Sequence, residues 1–284
     1  METVCNGKHW DVLLAENNGR IEGALPYLFG KKFGLRFILQ PQLTQFCGPW
    51  YNLPEGEDST AFERRIGDEL SRQLDRQHIA LFLQHFSPTV TDCTPFIQRG
   101  YHMRQRYTYR FDPIPAPSLL PTLAAKDRRR GTEAVREAYQ LDKTVDIDEF
   151  VDFHIGYWER RSGKDLLSRD FLRRIVTTAL NHQQALLYGL RDNEGHLMAA
   201  RFVVYDKHCA HSLLSALHPT ALRNTMTVLT WYLIADLHDL TTIYDFEGSM
   251  DPGIAHFYRS FGSTRISYFE ITRYRPWILK FLLR

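Results

Sequence analysis

Thr242-Ile-Tyr-Asp-Phe-Glu-Gly-Ser-Met-Asp-Pro-Gly-Ile-Ala-His-Phe-Tyr-Arg-Ser-Phe-Gly262 runs a strand, a turn and a helix together in one short stretch. Thr242 to Glu247 mixes β-branched and aromatic side chains, as a buried strand does. Pro252 suits a first helical turn, where its missing N–H costs nothing, and Gly262 suits a helix end, so a helix is predicted over Pro252 to Phe261. Alternation along the strand sets Asp245 and Glu247 on one face. Two carboxylates on an otherwise apolar strand need a reason. Either they pair with cations such as those of Arg128-Arg129-Arg130, or one of them takes a proton from an acceptor amine as general base. Tyr258, on the helix, either packs its ring on the strand or gives its phenolic proton to a leaving group.

The same arrangement occurs earlier in the chain. At the offset that carries Phe96-x-x-x-Gly100 onto Tyr258-x-x-x-Gly262, Leu81-Phe82 falls on Ile243-Tyr244 and Ser87 on Ser249. The hairpin phrase Glu16-Asn-Asn-Gly-Arg-Ile-Glu-Gly-Ala24 likewise matches Asn193-Glu-Gly-His-Leu-Met-Ala-Ala200. Both parts then have the element order β-β-β-α-β-α-β, an internal duplication. In the first, strands at Trp10 to Ala15 and Arg20 to Phe29 flank Asn17-Asn18-Gly19, whose residues tolerate positive φ. Phe62, Ile66, Leu70 and Leu74, four apart, make one apolar helix face; a strand is predicted over His78 to Phe86, a short helix over Asp92 to Arg99 and a strand over His102 to Phe111. In the second, helices at Leu119 to Tyr139, Ile147 to Arg161 and Arg169 to Gln183, with a short strand near Thr144 to Val145, precede the meander Leu186 to Leu190, Leu197 to Tyr205 and His208 to Ala216. The helix Thr225 to Leu240 and the strand Thr264 to Thr272 complete it.

Pro113-Ile-Pro-Ala-Pro117 favours an extended connector, which sets a boundary between residues 1–116 and 117–284. With 44% hydrophobic and 24% charged residues the chain supports real cores, and 35 Lys+Arg against 33 Asp+Glu leave no whole-molecule field that would draw it to nucleic acid or anionic membrane. Apolar runs such as Ile278 to Leu283 fall short of a membrane span, and Met1-Glu2 leads into no signal-peptide core, so the expectation is a soluble, cytoplasmic protein. Cys5, Cys47, Cys93 and Cys209 stand singly and read as reduced core thiols. The twelve His show no metal spacing and there is no nucleophile elbow, so neither metal nor serine-triad chemistry is expected. The loop Leu217-His-Pro-Thr-Ala-Leu-Arg-Asn-Thr225 leads into a helix N-terminus, which either accepts an anionic phosphate with help from Arg223 or is a plain loop capped by Asn224 or Thr225. Lys126-Asp-Arg-Arg-Arg-Gly131 is either a solvated helix face or a phosphate or RNA contact.

Asp245-Phe-Glu-Gly-Ser249 followed by Pro252-Gly-Ile-x-x-Phe-Tyr-Arg-Ser-Phe-Gly262 resembles the closing signature of FemAB-like proteins, the branch of the GNAT acyltransferase superfamily with two GNAT-like halves in one chain. Lys126 to Arg130, Trp158-Glu-Arg-Arg-x-Gly163 and Gln42-Leu-Thr-x-x-Cys-Gly-Pro-Trp50 resemble the same group, so the likeness extends over most of the chain. It implies an α/β tandem GNAT-like fold of two mixed β-sheets flanked by helices, with the second half binding the donor and the first clipped at its start. It also implies N-acyl transfer from a thioester, acyl-CoA or acyl carrier protein, to a small-molecule, cell-wall or lipid amine. By the resemblance, Arg223, Asn224, Thr225, Met226 and Thr227 occupy the place of the donor's pyrophosphate loop, although the family's version is glycine-rich. Glu247 or Asp245 then takes the base's role and Tyr258 protonates the leaving thiolate. Two rivals accompany this expectation: an aminoacyl-tRNA-dependent aminoacyltransferase, and a non-catalytic binding protein on a GNAT frame.

Overall fold

A computed structural model describes residues 2–5, 9–120, 131–162, 167–248 and 250–276. Contacts along the chain divide it into two units, Met1–Tyr107 with Ser267–Arg284, and Thr108–Ile266. In the first unit a one-turn helix α1 (Glu2–Cys5) precedes the hairpin of β1 (Trp10–Asn17) and β2 (Arg20–Lys32). Asn17 pairs with Arg20 across a two-residue turn, and Asn18 (φ 49°) with Gly19 (φ 76°) supplies the left-handed pair that such turns require. After β3 (Leu35–Leu39) and the short β4 (Trp50–Tyr51) comes α2 (Ser59–Arg76), which starts where the Asp58 carboxylate accepts the Ala61 N–H at 2.7 Å. Phe62, Ile66, Leu70 and Leu74 are buried on its inner face, as their spacing predicts. Gly23 on β2 lets the helix lie close: a Cβ there would come within 2.2 Å of Ile66 Cγ2.

The strand predicted from His78 begins later, as β5 (Leu81–Phe86), because His78 (φ 51°) takes a left-handed conformation just past the helix. β5 runs parallel to β3, with Phe37 opposite Leu81. A short α3 (Thr94–Gln98) ends at Gly100 (φ 81°), and β6 (His102–Phe111) follows.

The described part of the second unit continues with α4 (Thr132–Ala138), β7 (Gln140–Asp142), α5 (Ile147–Ser162) and α6 (Arg169–Asn181). The short strand expected near Thr144 lies just before it instead: Asp142 closes a turn by accepting the Thr144 N–H at 2.7 Å. β8 (Ala185–Arg191), β9 (Leu197–Tyr205) and β10 (Cys209–Leu217) form the antiparallel meander. Then follow α7 (Thr225–Leu237), β11 (Ile243–Asp245), α8 (Pro252–Arg259) and β12 (Thr264–Tyr274). Three features repeat across the two parts: a helix (α2, α7) joins two parallel strands, a second helix (α3, α8) follows, and each second helix is followed by a left-handed glycine, Gly100 and Gly262 (φ 86°). The predicted duplication is thus present in the topology.

The mixed α/β architecture holds, but the expectation of two separate sheets does not. The strands hydrogen-bond in one order, β1-β2-β3-β5-β12-β6-β11-β10-β9-β8-β7, with β4 beside β2. β6 and β12 each contribute residues to both units. No described helix is long and apolar enough to cross a membrane.

Candidate functional site

β10 and β11 pair in parallel only at Cys209 with Ile243, Ala210 with Tyr244 and His211 with Asp245. Beyond that, β10 runs on to Leu217 while β11 has ended, so the two strands part toward their carboxyl ends. Carboxyl ends of parallel strands, with a helix N-terminus following, are where α/β sheets take ligands. Residues facing each other across β10, β11 and β6 share a face, so His211, Asp245 and Arg110 form a row with Thr108 and Cys209 two residues away along their strands. The opposite face carries Phe111, Ala210, Tyr244 and Phe246 in the apolar core.

Asp245 is fully buried and hydrogen-bonded. Its carboxylate accepts the Thr108 hydroxyl at 2.5 Å, Arg110 Nε at 2.6 Å and the Glu247 N–H at 2.7 Å. The Thr108 hydroxyl in turn accepts the Gly248 N–H at 3.0 Å. These bonds turn the chain sharply after β11: Glu247 sits at φ 62°, a left-handed conformation uncommon outside glycine, and the strand predicted through Glu247 ends at Asp245. The period-2 expectation for the two carboxylates therefore fails at Glu247, yet the turn keeps them adjacent.

Glu247 Oε1 lies 2.9 Å from His211 Nδ1 in a mostly buried pair. Burial pushes the Glu247 carboxyl up from the ordinary carboxylate range, while the hydrogen bond and charge of His211 pull the other way without cancelling it. For His211, burial opposes protonation, but hydrogen bonds to Cys209 and Glu247 and the Glu247 charge outweigh it and hold the pKa at about 10. The stability this raised pKa contributes is fully present below the ordinary histidine value of 6.5 and is lost as pH rises toward 10. Urea unfolding across that window should show wild type losing stability with pH more steeply than His211→Gln; parallel curves would show that the pair does not couple to folding.

Tyr258, on α8, stacks on Phe246 (ring centroids 5.1 Å) and Tyr109 (5.9 Å), and burial, opposed by the Arg201 charge, pushes its phenol up to about 12. The structure therefore brings Asp245 and Glu247 into one hydrogen-bonded group and places Tyr258 on the aromatic cluster around Phe246. Of the loop residues, Arg223 is exposed, Asn224 and Met226 are half-buried, and Thr225 and Thr227 are buried, with the Thr225 N–H donating to the Leu222 carbonyl at 3.2 Å. Neither Asn224 nor Thr225 caps α7 with its side chain: Asn224 sits at φ 72° without a capping bond, and Thr225 Oγ1 donates to the Leu222 carbonyl at 2.6 Å. A cavity of about 620 Å³ opens beside the loop, lined by Asp152, Phe153, His196, Met198, His218 and Thr220 among others. Lys126 to Arg130 and Ser249 lie outside the described residues.

Sequence reasoning missed His211, Thr108, Arg110 and Arg201. It also took Cys209 for a core thiol, whereas Cys209 is half-buried beside His211. Among the described residues, no three His, Cys, Asp or Glu side chains are grouped to hold a metal ion.

Residues 124–254 match the family model described as an acetyltransferase (GNAT) domain. No curated protein matches the chain significantly. Among solved structures, FemX superposes with a TM-score of 0.65 at 11% identity, covering 93% of this chain and 88% of that one. The C-terminal domain of a putative lysylphosphatidylglycerol synthetase from Agrobacterium fabrum gives 0.59 at 12% identity, covering 95% and 89%. A tandem GNAT protein from the clavulanic acid biosynthesis pathway gives 0.57 at 10% identity, covering 94% and 83%. At these identities the superpositions speak for the fold.

Proposed function

This chain is an acyltransferase that carries a GNAT domain of the FemAB-like family, and from that premise we propose that it moves an acyl group from a thioester donor to an amine. The observation that carries the reading is the His211–Glu247 pair on the last paired residue of β10 and the turn after β11, at the point where the two strands part. An amine attacks only in its neutral form and must lose a proton as the amide forms. Glu247 takes that proton, its carboxyl raised toward neutrality by burial, with His211 holding it in place. Asp245 acts as a positioning residue: the bonds it accepts from Thr108, Arg110 and the Glu247 N–H fix the turn that carries Glu247. Backbone N–H groups freed where β10 leaves β11 hold the carbonyl oxygen of the tetrahedral intermediate. Tyr258 gives the departing group its proton.

The donor, acyl-CoA or acyl carrier protein, lies along the parted strands with its phosphates at the N-terminus of α7. Support comes from the exposed Arg223 and the absence of a side-chain cap from Asn224 on α7. Thermal-shift titration with coenzyme A, acetyl-CoA and long-chain acyl-CoA tests this. At 100 times its dissociation constant a ligand adds ~2.7 kcal/mol, and Arg223→Ala should shrink the shift. No shift with any of the three would overturn the thioester donor.

The likeness to the C-terminal domain of a putative lysylphosphatidylglycerol synthetase keeps a second reading in view, an aminoacyl donor with a lipid or cell-wall acceptor. Transfer from aminoacyl-tRNA, with affinity falling steeply as salt rises, would establish it.

A further inference from the structure

Arg201 is 3% exposed, yet its guanidinium meets only neutral groups: Nη1 donates to Thr230 Oγ1 at 2.9 Å and to the Tyr244 hydroxyl at 3.4 Å, and Nε is buried with no acceptor. Among the described residues no carboxylate pairs with it. The other arginines drawn into the interior differ: Arg110 has Asp245, Arg106 has Glu270, Arg273 has Asp75, and Arg191 has Asp142 and Glu149. Arginine cannot shed its charge, so an unpaired guanidinium taken out of water costs stability. A negative charge that develops beside it during a reaction would offset that cost.

The aromatic cluster that Arg201 touches through Tyr244 extends to Tyr258. Tyr244, which Arg201 touches, packs edge-on to Phe246 at 4.8 Å between ring centroids, and Phe246 packs on Tyr258 at 5.1 Å. Burial raises the Tyr258 phenol, and the Arg201 charge is the influence that pulls it back down.

We propose that Arg201 is a positioning residue for proton transfer from Tyr258, its resting charge being balanced when Tyr258 becomes a phenolate. This rests on the acyl-transfer reading and adds a residue to it. When the tetrahedral intermediate collapses, the bond from the acyl carbon to the leaving sulfur breaks and sulfur keeps the electron pair. It takes the Tyr258 proton, leaving thiol and phenolate. Glu247 holds the proton lost by the amine, and the phenolate regains one from solvent once the amide departs. The same balance applies if the leaving atom is an ester oxygen.

The test compares wild type, Arg201→Met, Tyr258→Phe and the double variant, reading melting temperature without ligand and thiol release from acetyl-CoA in the presence of lysine, glucosamine or ethanolamine. Arg201→Met should melt above wild type, because it removes an unbalanced buried charge while keeping the length of the side chain. It should slow thiol release about 100-fold, and add almost nothing to the loss already caused by Tyr258→Phe. A lower melting temperature for Arg201→Met, or a rate loss that adds in full to that of Tyr258→Phe, overturns the proposal. If wild type releases no thiol with any of the amines, the thioester reading fails by itself, and the melting temperature alone decides for or against an unbalanced Arg201.

Discussion

Glu247→Gln is expected to keep the fold and lose acyl transfer by about 10²- to 10⁴-fold, the usual contribution of a positioned general base. Glutamine preserves the size of the side chain and an oxygen for His211 Nδ1, which lies 2.9 Å away, so the turn after β11 should survive. It cannot take a proton. The pH profile discriminates further. In wild type the acid limb of the rate should follow the Glu247 carboxyl, which burial raises above the ordinary carboxylate range, and activity should fall as pH drops through that raised value. In the variant that limb should vanish, leaving the titration of the acceptor amine. Circular dichroism and melting checks the fold, and initial rates across pH check the chemistry. A variant with full turnover would remove Glu247 from the mechanism.

Asp245→Asn is expected to destabilise the protein by about 3–5 kcal/mol, the range for breaking one side of a buried ion pair. Asp245 is fully buried, and its loss of charge removes the ion pair with Arg110 Nε at 2.6 Å. An amide also cannot accept from the Thr108 hydroxyl, Arg110 Nε and the Glu247 N–H with both of its heavy atoms, since one of them is a donor. Arg110→Gln should cost less when added to Asp245→Asn than it does in wild type, because the ion pair between the two is already gone. Urea unfolding of the single and double variants measures both effects. A destabilisation under about 1 kcal/mol for Asp245→Asn would mean that the network holds little, and Asp245 would then be free for a role in the chemistry.

Periodicity and turn chemistry made much of this fold legible. The spacing of Phe62, Ile66, Leu70 and Leu74 states which face of α2 is buried, and Asn18-Gly19 states both the turn and its register. The duplicated element order needs only local signals repeated in sequence. The single sheet was not legible, because nothing local says that β12 will pair with β5, whose partners lie far back in the chain. Within the site, Asp245 and Glu247 stood out because a charged residue on an apolar strand is conspicuous by itself. Their partners did not. Thr108 and Arg110 look like any polar positions of a half-buried strand, and they meet Asp245 only because β6 lies antiparallel to β11. His211 was one of twelve scattered histidines until the parallel pairing of β10 with β11 set it opposite Asp245 and beside Glu247. Arg201 in turn reads as an ordinary interruption of an apolar strand, and becomes notable only when no carboxylate among the described residues proves to pair with it.

The most direct test of acyl transfer at this site is the mass of the products formed when wild type is given acetyl-CoA or long-chain acyl-CoA with lysine, glucosamine or ethanolamine. The account predicts an N-acylated amine and an equal amount of free coenzyme A, both depending on Glu247. No amide from any thioester, in a preparation that does form one from aminoacyl-tRNA, would contradict it.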